Sequence, residues 1–529
     1  MLANLIQKLE NIKISFGTYL AIAFSIIIVR VGLESFSSNK AVLFSYSSFP
    51  HIFLFFISLF LNLFFLIYFL TRENIIKISK IGLLAMLILW IAPAFDLFLS
   101  RAKTPFSMGY IFDSPKNFLS RYFTFLFGSG EAGITYGMKL QIILACFIVA
   151  AYIFLKTKNY IKTLLAFILT YTIIFIYSFL PSIIAAVELK RLDFNFGEIL
   201  EVLLLPKSIF QIKFSDPWPL FDYKMGLVLL FLIILQISLW YLIYSFKKFK
   251  AIILYSVRYL RFFLQILTLF VGLWLGWKLT ENLWDFSIFG ILTLFALFVI
   301  VFFIWLFSVV INDIYDLEID KLSPANQNRI LVQKIMDVEE YKNLGFVFLL
   351  LANLAAFILG PAFFTLSLIL SALSSYIYSA PPLRFRKFPF LGHFVIGLAA
   401  LCAVFLGFLI FAKNQDLSEF PPKFAILIPF FFMLATHIKD IKDLKADKTY
   451  GVITLPTLFG EQRGKLFCGI LVFLSFLFFS LFLGNKLLIL FSLGFGLIGF
   501  FLTYDKKSKE YIVFTLYFLY LLIVFLMSF

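Results

Sequence analysis

The chain has 529 residues, of which 62% are hydrophobic and 14% charged, with 75 Phe, 24 Tyr and 7 Trp and a mean hydropathy of +1.00. No soluble core of ordinary proportions hides that much apolar surface, and the apolar runs do not alternate in polarity as barrel strands would, so a soluble protein and an outer-membrane barrel are both excluded. The formal charge of +16 fits basic cytoplasmic loops beside anionic headgroups better than nucleic acid, which leaves an all-α polytopic membrane protein with membrane lipids around it and no nucleic-acid partner.

The N-terminal segment carries Lys8 and Lys13 before a first apolar run, about Ile14 to Val31, with no small-residue cleavage signature. It reads as a retained anchor. Taking about 20 apolar residues per crossing, the first half holds about six spans, near 14–34, 51–70, 81–100, 137–155, 160–187 and 225–246. With the N-terminus inside, the inner connections are short and basic: Arg72, Lys77 and Lys80, then Lys156, Lys158 and Lys162, then Lys247, Lys248 and Lys250. The outer loops, 101–136 and 188–224, are longer and carry Asp113, Glu131, Glu188, Asp193, Asp216 and Asp222. Their apolar stretches NFLSRYFTFLF and EILEVLLLP are too short to span and read as interfacial or re-entrant helices. Asp96 reads as a helix-end cap and Glu131 as a loop acid. Cys146, Cys402 and Cys468 stand singly in apolar runs, as packing residues do, and not as a disulfide framework or a thiolate metal site.

The second half, from residue 251, holds about nine spans, near 262–279, 287–311, 344–360, 361–379, 391–413, 422–438, 465–484, 486–503 and 510–528. Entered from inside, this order puts the loops after the second, fourth and sixth spans on the cytoplasmic side. Those loops carry NDIYDLEIDKLSPANQNR, YSAPPLRFRKFP and HIKDIKDLKADKTYGVITLP, so the three chemically rich segments share one face. The expected setting is an integral, multi-pass protein of a prokaryotic cell membrane.

In the first loop Asn312, Asp313, Asp316 and Asp320 fall on one side of a helix, with Glu318 pointing elsewhere. In the third loop Asp440, Asp443 and Asp447 repeat the offsets. Two such rods facing each other form a divalent-metal site, and oxygen donors in this number, without His or Cys nearby in sequence, suit Mg²⁺. Lys439, Lys442, Lys445 and Lys448 interleave with the second triad, and Arg329, Arg384, Arg386 and Lys387 line the other two loops. Carboxylates among guanidinium and ammonium groups suit a metal and a diphosphate together. The paired Pro381 and Pro382 end a helix and put Tyr378 and Ser379 at the rim of the same cavity, where a hydroxyl can meet a phosphate and an aromatic face a cation. His437 and His393 stand near the loops, with His437 a supporting side chain at most.

The three loops resemble those of the UbiA superfamily of intramembrane prenyltransferases. Asn312, Asp313, Asp316 and Asp320 match the NDxxDxxxD signature and are followed by Asn328 and Arg329. Asp440, Asp443 and Asp447 match DxxDxxxD, with Gly451, Thr454, Leu455 and Pro456 as the GxxTLP tail. Tyr378, Ser379, Pro381, Pro382, Leu383 and Arg384 match YSxPPLRxK. Arg329 is followed by Ile330 where the family has proline, the loop lysine is represented by Arg386 or Lys387, and His393 stands in place of a common Asn. Arg258 or Arg261 supplies the arginine often found at the start of the first span of this half. The resemblance implies a nine-helix bundle over about 251–529. It further implies Mg²⁺ held by Asp313, Asp316, Asp443 and Asp447, a prenyl diphosphate in an apolar tunnel, and capture of the allylic cation by an aromatic or other lipid-soluble acceptor. Phosphoribosyl transfer to a polyprenyl phosphate is the alternative within the fold, and a non-catalytic lipid transporter or scaffold the alternative outside it. Residues 1–250 form an additional multi-span domain: a lipid-handling module, a platform for a protein partner, or a second catalytic unit.

Overall fold

The computed structural model describes residues 2–38, 48–100, 109–126, 134–205, 208–210, 212–213, 217–280, 283–323, 326–505 and 510–527. Backbone N–H and C=O groups have no water to bond in hydrocarbon, and an apolar run therefore closes its own hydrogen bonds as a helix. Among the described residues, 14 helices are long and apolar enough to cross a membrane. The chain divides into two compact units, one of Met1–Ile209, Lys213–Phe246 and Asp285–Ala296, the other of Phe210–Ile212, Lys247–Trp284 and Leu297–Phe529.

The first unit contains the spans Phe16–Phe36, Ser48–Thr71, Ile75–Leu99, Tyr136–Thr157, Tyr160–Ser178 and Pro217–Tyr244. Two differ from the expected runs. Pro93 has no N–H to give the preceding turn, and Ile75–Leu99 tightens to a 3₁₀ segment at Met86–Trp90. The run expected over 160–187 breaks at Phe179, and Pro181 opens the separate helix Leu180–Leu189. Asp96 is a cap, as expected: its carboxylate accepts from Gly137 N at 2.8 Å and from Thr135 Oγ1, at the start of the next span. The two short apolar stretches are the helices Phe118–Thr124 and Phe196–Leu204, the latter closed by an Asn195–Glu198 capping box. Glu131 and Asp216 lie outside the described residues.

The second unit holds Tyr259–Thr280, most of Ile288–Tyr315, Val338–Leu359, Leu391–Leu409, Pro422–Asp440, Leu455–Leu483, Lys486–Tyr504 and Glu510–Met527 as candidate spans. The remaining expected span is the shorter apolar helix Pro361–Ile377, set off from its predecessor by Gly360 at φ 141°. Helices Tyr259–Thr280 and Leu391–Leu409 touch backbone to backbone. A Cβ on Gly272 would stand 2.0 Å from the Val404 carbonyl oxygen, and one on Gly407 2.4 Å from that of Leu269, as small residues allow in lipid. Elsewhere the core is aromatic. Phe476 stacks on Tyr517 at 4.5 Å, and the hydroxyls of Tyr517 and Tyr520 bond Ser475 and Ser492 at 2.7 and 2.6 Å. The three cysteines are free and buried.

Candidate active site

The helix Ile288–Tyr315 does not stop cleanly at its polar end. Asp316 N donates to Asn312 O at 2.9 Å and Asp320 N to Asp316 O at 2.8 Å, carrying the helical path into Leu317–Leu322. That continuity keeps Asn312, Asp313, Asp316 and Asp320 on one side. The three aspartates are buried at 2, 0 and 2% exposure, whereas Glu318 faces outward and pairs with Lys321 at 2.6 Å.

Four guanidinium groups cover this first cluster. Arg258, immediately before its helix, bonds Asp313 and reaches Asn312 Oδ1 at 3.4 Å. Arg329 bridges Asp313, at 3.1 Å, and Asp320. Arg384, with its backbone in the left-handed region at φ 40°, donates to Asp316 Oδ1 at 3.0 Å and to Tyr315 O at 3.2 Å. Arg386 contacts Asp316 through one nitrogen and lies 3.6 Å from Asp447 Oδ1 through another. Tyr341, whose hydroxyl is 3.3 Å from Asp313 Oδ2 and 2.9 Å from Ser256 Oγ, closes the far side. Asn312 Nδ2 donates to Asp316 at 2.5 Å and to Ser379 Oγ at 3.4 Å.

The second cluster is wound differently. Helix Pro422–Ala435 passes into a 3₁₀ segment, Thr436–Asp440, and the chain resumes an α-helical turn at Leu444–Thr449. Asp447 N bonds Asp443 O at 2.8 Å and Val452 N bonds Asp447 O at 2.9 Å. The middle and third loops are joined by Ile453 N donating to Lys387 O at 3.1 Å. Lys439 Nζ donates to the Tyr378 hydroxyl at 2.6 Å and sits 5.0 Å from that ring's centre.

These groups line the polar end of a cavity of about 320 Å³. Arg258, Arg261, Asn312, Arg329, Tyr378, Ser379, Arg386, His393, Lys439, Asp440, Asp443, Asp447 and Glu510 all face it, and most of the rest is apolar and aromatic, including Trp305, Phe424, Phe431, Phe432 and Phe514. Asp313, Asp316 and Asp320 lie behind the arginines and are not part of the wall. The electrostatics follow from burial. Desolvation pushes the Asp447 carboxyl up to about 7, with Arg386 opposing the rise and Asp443 and Asp440 adding to it. Desolvation likewise pushes Asp320 up to about 7, against the pull of Arg329. Arg329 is lowered, by burial first and then by the like charge of Arg258.

The donor set fits Mg²⁺. It consists of carboxylate and amide oxygens, and Asp443 Oδ1 and Asp447 Oδ1 are buried with no hydrogen-bond partner among the described residues. Buried carboxylate oxygens are rarely left so. A hard cation would satisfy them.

Two expected contacts lie apart from this cluster. Lys442 is not on the cavity wall and donates to Glu510 at 2.7 Å; Arg261, which is on the wall, shares the same carboxylate at 2.8 Å. Of the two arginines open for the start of this half, Arg258 is the one on the aspartates. Asn326, not Asn328, reaches Asp320, at 3.0 Å. Asn326, Tyr341 and Glu510 were not singled out from the sequence. Tyr341 and Glu510 come from helices remote in the chain, and no spacing links them to the loops.

Residues 265–522 match the UbiA prenyltransferase family. The chain is 29% identical over 182 residues to the digeranylgeranylglyceryl phosphate synthase of Sulfurisphaera tokodaii, covering 32% of this chain and 59% of that one. It is 30% identical over 100 residues to the chloroplastic chlorophyll synthase of Avena sativa, covering 18% of this chain and 25% of that one. The chain thus spans less than two thirds of the length of either relative. A solved UbiA homolog from Archaeoglobus fulgidus, bound to DMAPP and Mg²⁺, is similar with a TM-score of 0.39 and 20% identity over 50% of this chain and 94% of that one. Residues 265–522 of this chain are thus similar to the UbiA prenyltransferase family.

Proposed function

We propose that residues 251–529 form a Mg²⁺-dependent integral membrane transferase that moves a prenyl group from its diphosphate to an aromatic or other lipid-soluble acceptor and releases diphosphate. The observation that carries this reading is the pair of buried oxygens on Asp443 and Asp447 that accept no hydrogen bond among the described residues, opening on a chamber whose other end is aromatic and apolar. Asp443 and Asp447 would hold the metal from the wall, joined by Asp313 and Asp316 once the arginines that cover them turn to the diphosphate. When bound, Mg²⁺ supplies neutralisation of charge on the departing diphosphate.

The rest falls to the chain's own groups. Arg258, Arg329 and Arg386 face the chamber and stabilise phosphate oxygens by charge-assisted hydrogen bonds, with Arg384 holding Asp316 behind them. Asp320 fixes Arg329. Tyr378 and Ser379 orient the diphosphate from the middle loop, Tyr378 being held by Lys439. Apolar walls exclude water, so the allylic cation meets the acceptor and not hydroxide, while ring faces favour its charge. The same lining favours a prenyl chain over a ribose as the diphosphate-bearing group. The basic inner connections support a cytoplasmic mouth, and the division of the chain into two compact units supports a separate N-terminal membrane domain.

The test is incubation of the purified full chain in lipid with Mg²⁺, labelled prenyl diphosphates of graded length and a membrane extract. Labelled lipid product supports the reading. No product with any donor, together with diphosphate binding unchanged in Asp316→Ala and Asp443→Ala, overturns it.

A further inference from the structure

His393 and His437 stack on each other beside the chamber, with ring centroids 3.7 Å apart and planes at 28°. Asp440 Oδ2 lies 3.3 Å from His393 Nε2 and 3.9 Å from His437 Nδ1. The three residues are 4, 0 and 8% exposed. Neither ring nitrogen of His437 nor His393 Nδ1 has a hydrogen-bond partner among the described residues, and His393 Nε2 has only the 3.3 Å contact to Asp440 Oδ2. A histidine kept for packing would satisfy at least one nitrogen of its ring, since buried polar atoms are almost always bonded, and His437 satisfies neither.

We propose that His393, His437 and Asp440 bind a divalent first-row transition-metal ion of the zinc class, at a site separate from the Mg²⁺ carboxylates. Ligands about 2.0 to 2.1 Å from a tetrahedral zinc stand about 3.3 to 3.4 Å from each other. The His393–Asp440 separation of 3.3 Å already fits, and His437 at 3.9 Å needs a shift of about half an ångström to join. All three ligand atoms lie within 4.8 Å of one another. Imidazole nitrogen selects this class of ion over Mg²⁺, which takes oxygen. Three protein ligands leave a fourth position open. His393 and Asp440 are on the chamber wall and His437 behind it, and the open position therefore faces the chamber.

The experiment uses the full chain in detergent, stripped of metal by chelator and titrated with Co²⁺ alone in the presence of excess Mg²⁺. Visible absorption is followed, and bound zinc is measured separately by elemental analysis. The expected result is saturable uptake of about one equivalent per chain, weakened at least about ten-fold in His437→Gln and in His393→Asn and unchanged in Asp443→Asn. Absence of stoichiometric uptake overturns the proposal, as does uptake indifferent to both histidine variants. If His437→Gln elutes as aggregate, His393→Asn, at the chamber wall, decides alone. Loss of Mg²⁺-dependent transfer in Asp443→Asn with Co²⁺ uptake intact separates this site from the transferase reading.

Discussion

Arg386 reaches from Asp316, which it contacts directly, towards Asp447, whose Oδ1 lies 3.6 Å from its second terminal nitrogen. One guanidinium thus joins the two carboxylate clusters across the polar end of the chamber. Removing it leaves Arg384 as the one guanidinium on Asp316, beside the amide of Asn312, and takes a donor from the phosphate side. Arg386→Ala is expected to weaken inorganic diphosphate binding at fixed Mg²⁺ by about 1.5 to 3 kcal/mol, the range for hydrogen bonds to charged groups. Arg386→Lys should recover only part of this, because a point charge does not bridge two carboxylates as a planar fork does. Calorimetric titration of the three proteins checks the order.

Lys442 provides the contrast. Its ammonium does not line the chamber and is tied to Glu510, which does. Lys442→Ala should change diphosphate affinity by less than about two-fold, as for a rim charge screened by salt. A loss as large as that of Arg386→Ala would mean that Lys442 leaves Glu510 for the substrate.

Asp320 accepts from Arg329 and from Asn326, and its side chain is 3% exposed. Asp320→Ala removes one of the two carboxylates that Arg329 bridges. A loss of about 1.5 to 3 kcal/mol of stability is expected, with a lower melting temperature in detergent. Asp320→Asn should lie between wild type and alanine. An unchanged melting temperature in Asp320→Ala would show that Asp313 alone suffices to hold Arg329.

Asp320 and Asp447 also set a pH dependence. Burial raises both to about 7, while an unfolded aspartate titrates near about 3.9. Between those values the folded state binds more protons than the unfolded one. Stability is therefore fully present below about 4 and is lost as pH rises towards about 7. Mg²⁺ binds the ionised carboxylates and should oppose that loss most strongly above neutrality. Melting temperatures at pH 5 and pH 8, with and without Mg²⁺, test this. Metal-free protein that gains stability over the window would contradict it.

Much of this site was legible because its chemistry is carried by short offsets within loops. Asn312, Asp313, Asp316 and Asp320 share a side because one helical path runs through all of them, and spacing alone conveys that. The second triad was read as a continuous helix, but its first member stands on a 3₁₀ segment. Asp440 therefore meets His393 and His437, a neighbourhood that no repeat of offsets contains. Tyr341 and Glu510 illustrate the other limit: each enters from a helix far away in sequence, where only packing decides the neighbour. The spans were read well wherever an apolar run ended in charge. The run over 160–187 was misjudged, because Pro181 opens a separate helix inside it.

The most direct measurement is transfer of label from a prenyl diphosphate into lipid by the purified full chain, with and without Mg²⁺, for wild type and Asp443→Ala. The account predicts labelled product from wild type only with Mg²⁺, and a fall of at least about 10²-fold in the variant, on the scale of losing one transition-state charge stabiliser. Equal product formation by the two proteins, or product formed as well in chelator as in Mg²⁺, would contradict it.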